Sequence, residues 1–437
     1  MADQSSAGDG AAAGERLTTR EAAERLGVKP ATLYAYVSRG QLTSRRDPGG
    51  RGSTFDAAEV GALARRSRRE PAPGGGGLQQ IRTGITLIDG GRCWFRGVDA
   101  GELARHHHYE EIADWLWTGT LRTGTRFTAP PETLAAARRA VGALPPGSGS
   151  ADRLRAAVIA AAVMDPVRFD LGRDAVLGSA RIMIPTLVDA LPPAAGGGPE
   201  AGGARAGAGG AGAERLIAAR LWTRLTAREP DEASLRALDM ALALLIDHDL
   251  AASTLAVRVA ASTRAHPYAA VSAGLGALDG PLHGAASGLA HRTLTEVLER
   301  GAAGPVVADQ LRSGRRVPGL GHHLYPGRDP RAEALFGALA GVPAAREALE
   351  AAHAIEAVAA RRTEQWANVD LALAVLSVAS GMRPEAGETV FAVARTAGWI
   401  AHALEEYEEG ALRLRPSGHY TGPRPPLPLP PPAPPRP

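Results

Sequence analysis

Cysteine is almost absent from this chain of 437 residues: Cys93 is the single one. An internal disulfide framework is therefore excluded, and the count fits a reducing compartment. Aromatic residues are also scarce, at 4%, so the core has to be built mainly from aliphatic side chains. No apolar run is long enough to cross a bilayer. The opening residues MADQSSAGDGAAAGERL lack the basic stretch followed by an apolar one that marks a secretory signal. A cytoplasmic protein, with no membrane association, is the expectation. CxxC, HExxH and P-loop patterns are missing as well, so neither a metal nor a nucleotide-phosphate site is expected. Lysine is nearly missing too, since almost every basic residue is arginine. The net charge of +3 therefore reflects composition more than an acidic partner.

What is present points to a globular chain with room for two or three structural units, 45% hydrophobic and 22% charged. Residues 1–15 are small, polar and without period, and are expected to be disordered. A compact segment spans 16–70, and 71–80, beginning PAPGGGG, reads as a linker. Gly74 to Gly77 is not a phosphate cradle, because no strand precedes it and no lysine follows. The remainder to 423 is dominated by helix-period segments such as LRALDMALALLIDHDLAASTLAVRVAAS. The exception is GITLIDGGRCWFRG, where two short β-rich runs flank Asp89-Gly90-Gly91 and predict a hairpin. Residues 192–213 are low in complexity and read as a surface insertion. Residues 424–437 form a proline-rich extended tail, an inert segment or a PxxP ligand.

The segment LTTREAAERLGVKPATLYAYVSRGQL predicts two short helices. Thr18 or Thr19 caps the first, whose apolar face holds Ala22, Ala23 and Leu26 before Gly27 ends it. The second opens at Pro30 and carries Leu33, Tyr34 and Val37. RRDPGGRGSTFDAAEV then reads as a β wing and a third helix. Together the segment resembles the MerR/excisionase-like winged helix-turn-helix family. The resemblance implies a second helix in the DNA major groove, with Lys29, Thr32, Tyr34, Ser38 and Arg39 as contacts. One such module grips few phosphates, so useful affinity needs a dimer or multimer supplied by the rest of the chain. A protein-interaction module that kept the fold, or an appendage with merely solvated basic residues, is the alternative.

The large remainder carries reactive side chains in separated segments: His248 in LLIDHDLAAST, His283 in GALDGPLHGAAS, His322 and Arg331 in VPGLGHHLYPGRDPR, Asp370 in ANVDLALAVLS, Arg395 in VFAVARTAGWIAHALEE and Arg415 in LRPSGHYTGP. Singly, each has an ordinary structural explanation. A histidine in an apolar helix is commonly a hydrogen-bonded core residue, and Asp370 after Asn368-Val369 reads equally well as a helix cap. The set says more. Three histidines, one aspartate and three arginines suit carbon–carbon bond formation between an enolisable acid derivative and a dicarboxylic keto acid. A carboxylate removes the proton, neutral donors stabilise the enolate and polarise the keto oxygen, and guanidinium forks bind carboxylates.

The segment from about 78 to 423 resembles citrate synthase. GITLIDGGRCWFRG with ELARHHHYEEIADWLWTGTL, then IDHDLAAST, GPLHGAAS, GLGHHLYPGRDPR, NVD, ARTAGWIAH and the RPxxxYTGP pattern follow in family order. The resemblance implies a mainly α fold with a large domain, 81–284 and 386–423, and a small domain, 285–385, that closes over a cleft. It implies that His283 stabilises the enol of acetyl-CoA, Asp370 takes the methyl proton and His322 polarises the oxaloacetate carbonyl. His248, Arg331 and Arg395 hold oxaloacetate, and Arg415 reaches across from a partner subunit of a homodimer or a multiple of dimers. Acetyl-CoA enters as substrate, and no cofactor is implied. The sequence departs from the family pattern at Pro326, where a basic residue toward CoA is common and Arg328 is the nearest substitute, and at Ala251 and Ser417. The acyl pocket is not legible, so 2-methylcitrate formation from propionyl-CoA stays open. So does a DNA-binding regulator whose synthase-like body senses metabolites. His323 falls where the family tolerates several side chains and is expected to face the cleft mouth or solvent. The run Arg105-His106-His107-His108 is no metal site on a single helix, because consecutive residues fan out by about 100°; a solvated helix face is expected.

Overall fold

A computed structural model describes residues 16–26, 28, 30–38, 42–46, 52–61, 81–194, 215–280, 283–361, 364–414, 416 and 419–423. The expected disordered start, the linker, residues 195–213 of the low-complexity stretch and the proline-rich tail lie outside the described residues, as do Lys29, Arg39, Arg415 and Ser417. The chain divides into two compact units, Met1–Ile81 and Arg82–Pro437. Among the described residues both are mainly helical, and each holds one three-stranded antiparallel sheet.

In the N-terminal unit, β1 (Arg16–Thr18) precedes a helix Thr19–Leu26 and a second helix Pro30–Ser38. β2 (Ser44–Arg46) and β3 (Ser53–Asp56) then pair, giving the sheet order β1-β3-β2. Thr18 is the cap: its Oγ1 accepts the Glu21 N–H at 3.3 Å, while its own N–H donates to Glu21 Oε2 at 2.8 Å. This reciprocal capping box is encoded by the spacing Thr-x-x-Glu. Ala22, Ala23, Leu33, Leu42, Phe55 and Val60 close a small core with Leu17. Tyr36, not Tyr34, packs against it, and Tyr34 is half exposed. β1 is too short for its sequence to show a strand period, so only its pairing with β3 reveals it.

The larger unit opens on the expected hairpin, β4 (Thr86–Asp89) and β5 (Arg92–Phe95), which turns through Gly90-Gly91 and adds β6 (Val98–Asp99). Helices make up nearly all the rest, around the 23-residue helix Ala386–Glu408. That helix buries Val390, Val393, Trp399, Ile400 and Leu404 against the helices Arg173–Ala190, Ala252–Ser262 and Pro267–Leu278. Losing one such buried aromatic, as in Trp399→Ala, costs about 3–5 kcal/mol.

Two local readings need correction. The apolar period across 232–262 runs on unbroken in sequence, yet the structure holds two helices, Glu232–Leu244 and Ala252–Ser262, with a loop at 245–251. His248 is therefore on a loop rather than inside a helix. Asp249, at φ 55, turns the chain there. The loop crosses so close to the long helix that a Cβ on Gly398 would collide with the Ile246 carbonyl oxygen. Likewise, Arg105 to His108 do not share one helix. The helix Ala100–His106 ends there, and His108 starts the next, with its Nδ1 2.7 Å from Asp239 Oδ2. That carboxylate raises the His108 pKa.

Candidate active site

Residues 317–331 are sewn to the start of the helix Val369–Ala379 by two backbone bonds and one from a side chain. Asn368 N–H donates to Gly319 O at 2.9 Å, Gly321 N–H to Trp366 O at 2.7 Å, and Asn368 Nδ2 to Gly321 O at 2.9 Å. Gly319 sits at φ 83, and a Cβ there would lie 2.8 Å from that of Leu371. The Gly-Leu-Gly run before His322 is thus the condition for this loop to lie flat on the helix. Asn368 is the helix cap, its Oδ1 accepting the Asp370 N–H at 3.0 Å, so Asp370 is free of capping duty. Burial pushes the Asp370 carboxyl up to about 6, against the opposing charge of Arg331.

Asp329 ties the same elements together. Its carboxylate takes a two-point bond from Arg331, Nε to Oδ1 at 3.0 Å and Nη2 to Oδ2 at 2.7 Å. It also accepts the Val369 N–H at 3.1 Å. One buried acid therefore fixes both the guanidinium and the helix end that carries Asp370. An Asp-Pro pair at a helix start was the available sequence signal, and it was not read as a site residue.

Four rings and Arg331 meet in this region. His322 lies edge-on to His248, with centroids 4.9 Å apart, and 5.1 Å from Tyr325. The exposed ring of His323 stacks on His322 at 4.9 Å. His322 Nδ1 accepts the Leu324 N–H at 3.1 Å, so the neutral ring carries its proton on Nε2. Burial, then the charge of Arg331, holds the His322 pKa below the usual imidazole range. His248 is held well below it by burial and by Arg331 and Arg395. Its Nε2 lies 2.8 Å from the Tyr325 hydroxyl, another residue the sequence reading missed.

Arg395 comes from the middle of the long helix and is 1% exposed. Its Nε donates to Leu245 O at 2.9 Å, whereas its Nη1 is sealed from solvent and has no hydrogen-bond partner among the described residues. Burial lowers its pKa to about 10, with Asp247 opposing the shift. Asp247 is itself anchored by the Thr86 hydroxyl at 2.6 Å and by His402 Nε2 at 3.1 Å. His402 in turn receives a bond from the fully buried Arg258 at 2.8 Å.

His283 also meets Phe391, whose ring lies 5.9 Å from the imidazole centroid and 4.6 Å from Arg395 Cζ. Its Nε2 is 2.7 Å from Ser253 Oγ. Burial, then Arg395, keeps the ring neutral by lowering its pKa. The geometry thus joins His248, His322, Arg331, Asp370, Arg395 and His283 through shared contacts and fields, and Arg415 lies outside the described residues. Arg328 is engaged elsewhere: its Cζ stacks 4.5 Å over Trp366 and its Nη1 is 3.6 Å from Glu356. In the N-terminal unit, Thr32 is partly buried and Tyr34 half exposed on the second helix. The side chain of Ser38 is outside the description.

An ionisable carboxyl at a helix start, three neutral imidazoles and two buried guanidinium groups form a centre for moving a proton from carbon beside a bound dianion. Two segments of the chain match known families. The model of the citrate synthase C-terminal domain family matches residues 74–417, and that of the MerR family of regulatory proteins matches residues 18–52. Citrate synthase of Haloferax volcanii is 33% identical over 365 residues, covering 79% of this chain and 94% of that protein. Citrate synthase of Acidithiobacillus ferridurans is 29% identical over 376 residues, covering 80% and 95%. Among solved structures, citrate synthase from Thermotoga maritima superposes with a TM-score of 0.63 at 27% identity, covering 83% of this chain and 98% of that one. The Thermoplasma acidophilum enzyme, in a ternary complex with carboxymethyl coenzyme A and oxaloacetate, gives a TM-score of 0.65 at 25% identity, covering 81% and 96%. With a MerR-like unit at its N-terminal end, this chain belongs to the citrate synthase family.

Proposed function

We propose that the chain condenses acetyl-CoA with oxaloacetate and hydrolyses the citryl-CoA formed, using His283, His322 and Asp370 as its reacting groups. The Asp370 carboxylate removes a methyl proton from the thioester. Its raised pKa makes it a stronger base that is still ionised near neutrality. With the Ser253 hydroxyl, 2.7 Å away, acting as donor to His283 Nε2, Nδ1–H is left to hold the enolate oxygen. The enol carbon attacks the keto carbon of oxaloacetate, whose oxygen is met by the Nε2–H of His322. Water then cleaves the thioester, releasing citrate and the CoA thiol. His248, Arg331, Arg395 and Arg415 of a partner copy hold the oxaloacetate carboxylates. The sealed Nη1 of Arg395, without a partner among the described residues, is the observation that carries this reading, because such a donor needs an acceptor and a carboxylate is the strongest one.

His248, His283 and Arg395 belong to a large lobe, 81–284 and 386–423, and His322, Arg331 and Asp370 to a small lobe, 285–385. Closing the cleft between them excludes water during condensation. Ile159, Val163, Val167 and Phe169 are exposed along the helix Ser150–Met164 and the turn after it. An apolar face of that kind supports pairing with a second copy. A paired chain carries two N-terminal units, which supports DNA binding through Lys29, Thr32, Tyr34, Ser38 and Arg39 as a second role. No described helix is long and apolar enough to cross a membrane, and a cytoplasmic enzyme fits a single, buried cysteine.

A thiol-release assay on the purified chain with acetyl-CoA and oxaloacetate tests the first role; absence of free thiol overturns it. The same assay with propionyl-CoA measures acyl preference, where one methylene is worth about 10–200-fold in kcat/KM. For the second role, DNA affinity that falls steeply with salt is expected, and binding that ignores salt overturns it.

A further inference from the structure

Tyr325 touches three of the residues assigned to oxaloacetate. Its ring is 5.5 Å from His248 and 5.1 Å from His322, and Arg331 Cζ lies 5.7 Å from its centroid. The side chain is buried at 3% exposure. Its hydroxyl, 2.8 Å from His248 Nε2, is the hydrogen-bond partner of that imidazole among the described residues. His248 Nδ1 makes no hydrogen bond to any described residue.

Two arrangements satisfy that bond. Either the phenol donates to an unprotonated Nε2, or Nε2–H donates to the phenol oxygen and the phenol's proton turns elsewhere. Burial drives the phenol pKa far up, so the hydroxyl always holds its proton and must place it. The other acceptor beside it is the Cys93 thiol, which burial also keeps protonated, with a pKa pushed up to about 11. A thiol sulfur is a weak acceptor and an imidazole nitrogen a strong one, so the phenol proton goes to His248.

We propose that Tyr325 is a positioning residue for oxaloacetate: its hydroxyl donates to His248 Nε2 and so fixes the histidine's own proton on Nδ1, the nitrogen left to face the substrate carboxylate. With the proton on Nε2 instead, Nδ1 would present a lone pair to that carboxylate and repel it. The tautomer is therefore decided by one oxygen atom, carried on the loop 317–331 and acting on the loop 245–251. This rests on the assignment of His248 to oxaloacetate.

Tyr325→Phe removes that oxygen and keeps the ring. In the full-length chain, the KM for oxaloacetate is expected to rise about tenfold or more, with the KM for acetyl-CoA changed by less than about threefold. In a His248→Ala background, Tyr325→Phe should add nothing further to the oxaloacetate KM, because the hydroxyl acts only through that ring. An unchanged oxaloacetate KM, equal rises for both substrates, or full additivity of the two substitutions overturns the proposal. The tautomer itself is read by nitrogen-15 NMR of histidine-labelled protein, assigned with His248→Ala. A proton on Nδ1 supports the proposal and one on Nε2 overturns it. The spectrum of the unsubstituted chain decides this even if Tyr325→Phe does not fold. It also does so if no thiol is released, which would instead refute the proposed reaction.

Discussion

Arg331 and Arg395 are buried to the same degree, at 3% and 1% exposure, yet they stand in opposite electrostatic states. Burial works against the charge of both. At Arg331 the two-point bond to Asp329 overcomes it and raises the pKa, whereas at Arg395 burial prevails and the pKa falls to about 10. Asp247 pulls on Arg395 only through its field, being itself held by Thr86 and His402. One guanidinium is completed by the protein and one is left incomplete. The first is held in place before substrate arrives, and the second is left for substrate to complete.

Breaking the completed pair should have the largest effect. Asp329→Ala leaves a buried charge without its partner and the Val369 N–H without its acceptor. A loss of about 3–5 kcal/mol in stability is expected from denaturant titration, with turnover lost as well. Substituting the incomplete one should do the reverse to stability. Arg395→Met removes a buried charge that has no ion-pair partner among the described residues, so unfolding free energy should hold or rise, while the loss in kcat/KM for oxaloacetate corresponds to about 2–4 kcal/mol. Thermal scans with saturating oxaloacetate should stabilise the unsubstituted chain and leave Arg395→Met nearly unmoved.

The pH profile probes the carboxyl that shares a helix end with Arg331's partner. Asp370 acts as a base only when ionised, so kcat should fall about tenfold for each pH unit below its pKa. That pKa lies at about 6, and the inflection should appear there. Stability runs the other way. The folded value lies above the ordinary carboxyl value of 3.8, so this group's stabilising contribution is present in acid and lost as pH rises through about 6. Asp370→Asn, which keeps a neutral side chain, should therefore raise Tm at pH 8 and leave it unchanged at pH 4. The smallest effect is expected at His323, which only stacks on His322 from the solvent side. His323→Ala should cost about 0.5–1 kcal/mol in kcat/KM, whereas His322→Ala should abolish turnover.

Much of the frame could be read in advance because it is written in local spacing. Thr18 and Glu21 announce a helix start, Asp89-Gly90-Gly91 a hairpin, and apolar positions at helical intervals the long helix that carries Arg395. The loop at 245–251 could not, since the apolar period crosses it. What breaks the helix there is a close crossing over Gly398 and the bonds of Asp247 to Thr86 and His402, partners 161 and 155 residues away. Tyr325 and Asp329 escaped notice for a related reason. Each sits inside a motif read for its histidine and arginine, and its role lies in what it touches elsewhere, His248 and the Val369 amide.

By itself the sequence determined which reactive groups the chain owns, in which order, and which helices and turns carry them apart from the loop of His248, because capping, turn geometry and helical period depend on near neighbours. Only the tertiary structure decided how those groups are charged. Burial and distant partners keep His322 and His248 neutral, lift Asp370, complete Arg331 and leave Arg395 open. A protonation state depends on the medium around a group and on the charges that face it, and both are fixed by parts of the chain that meet only when it folds.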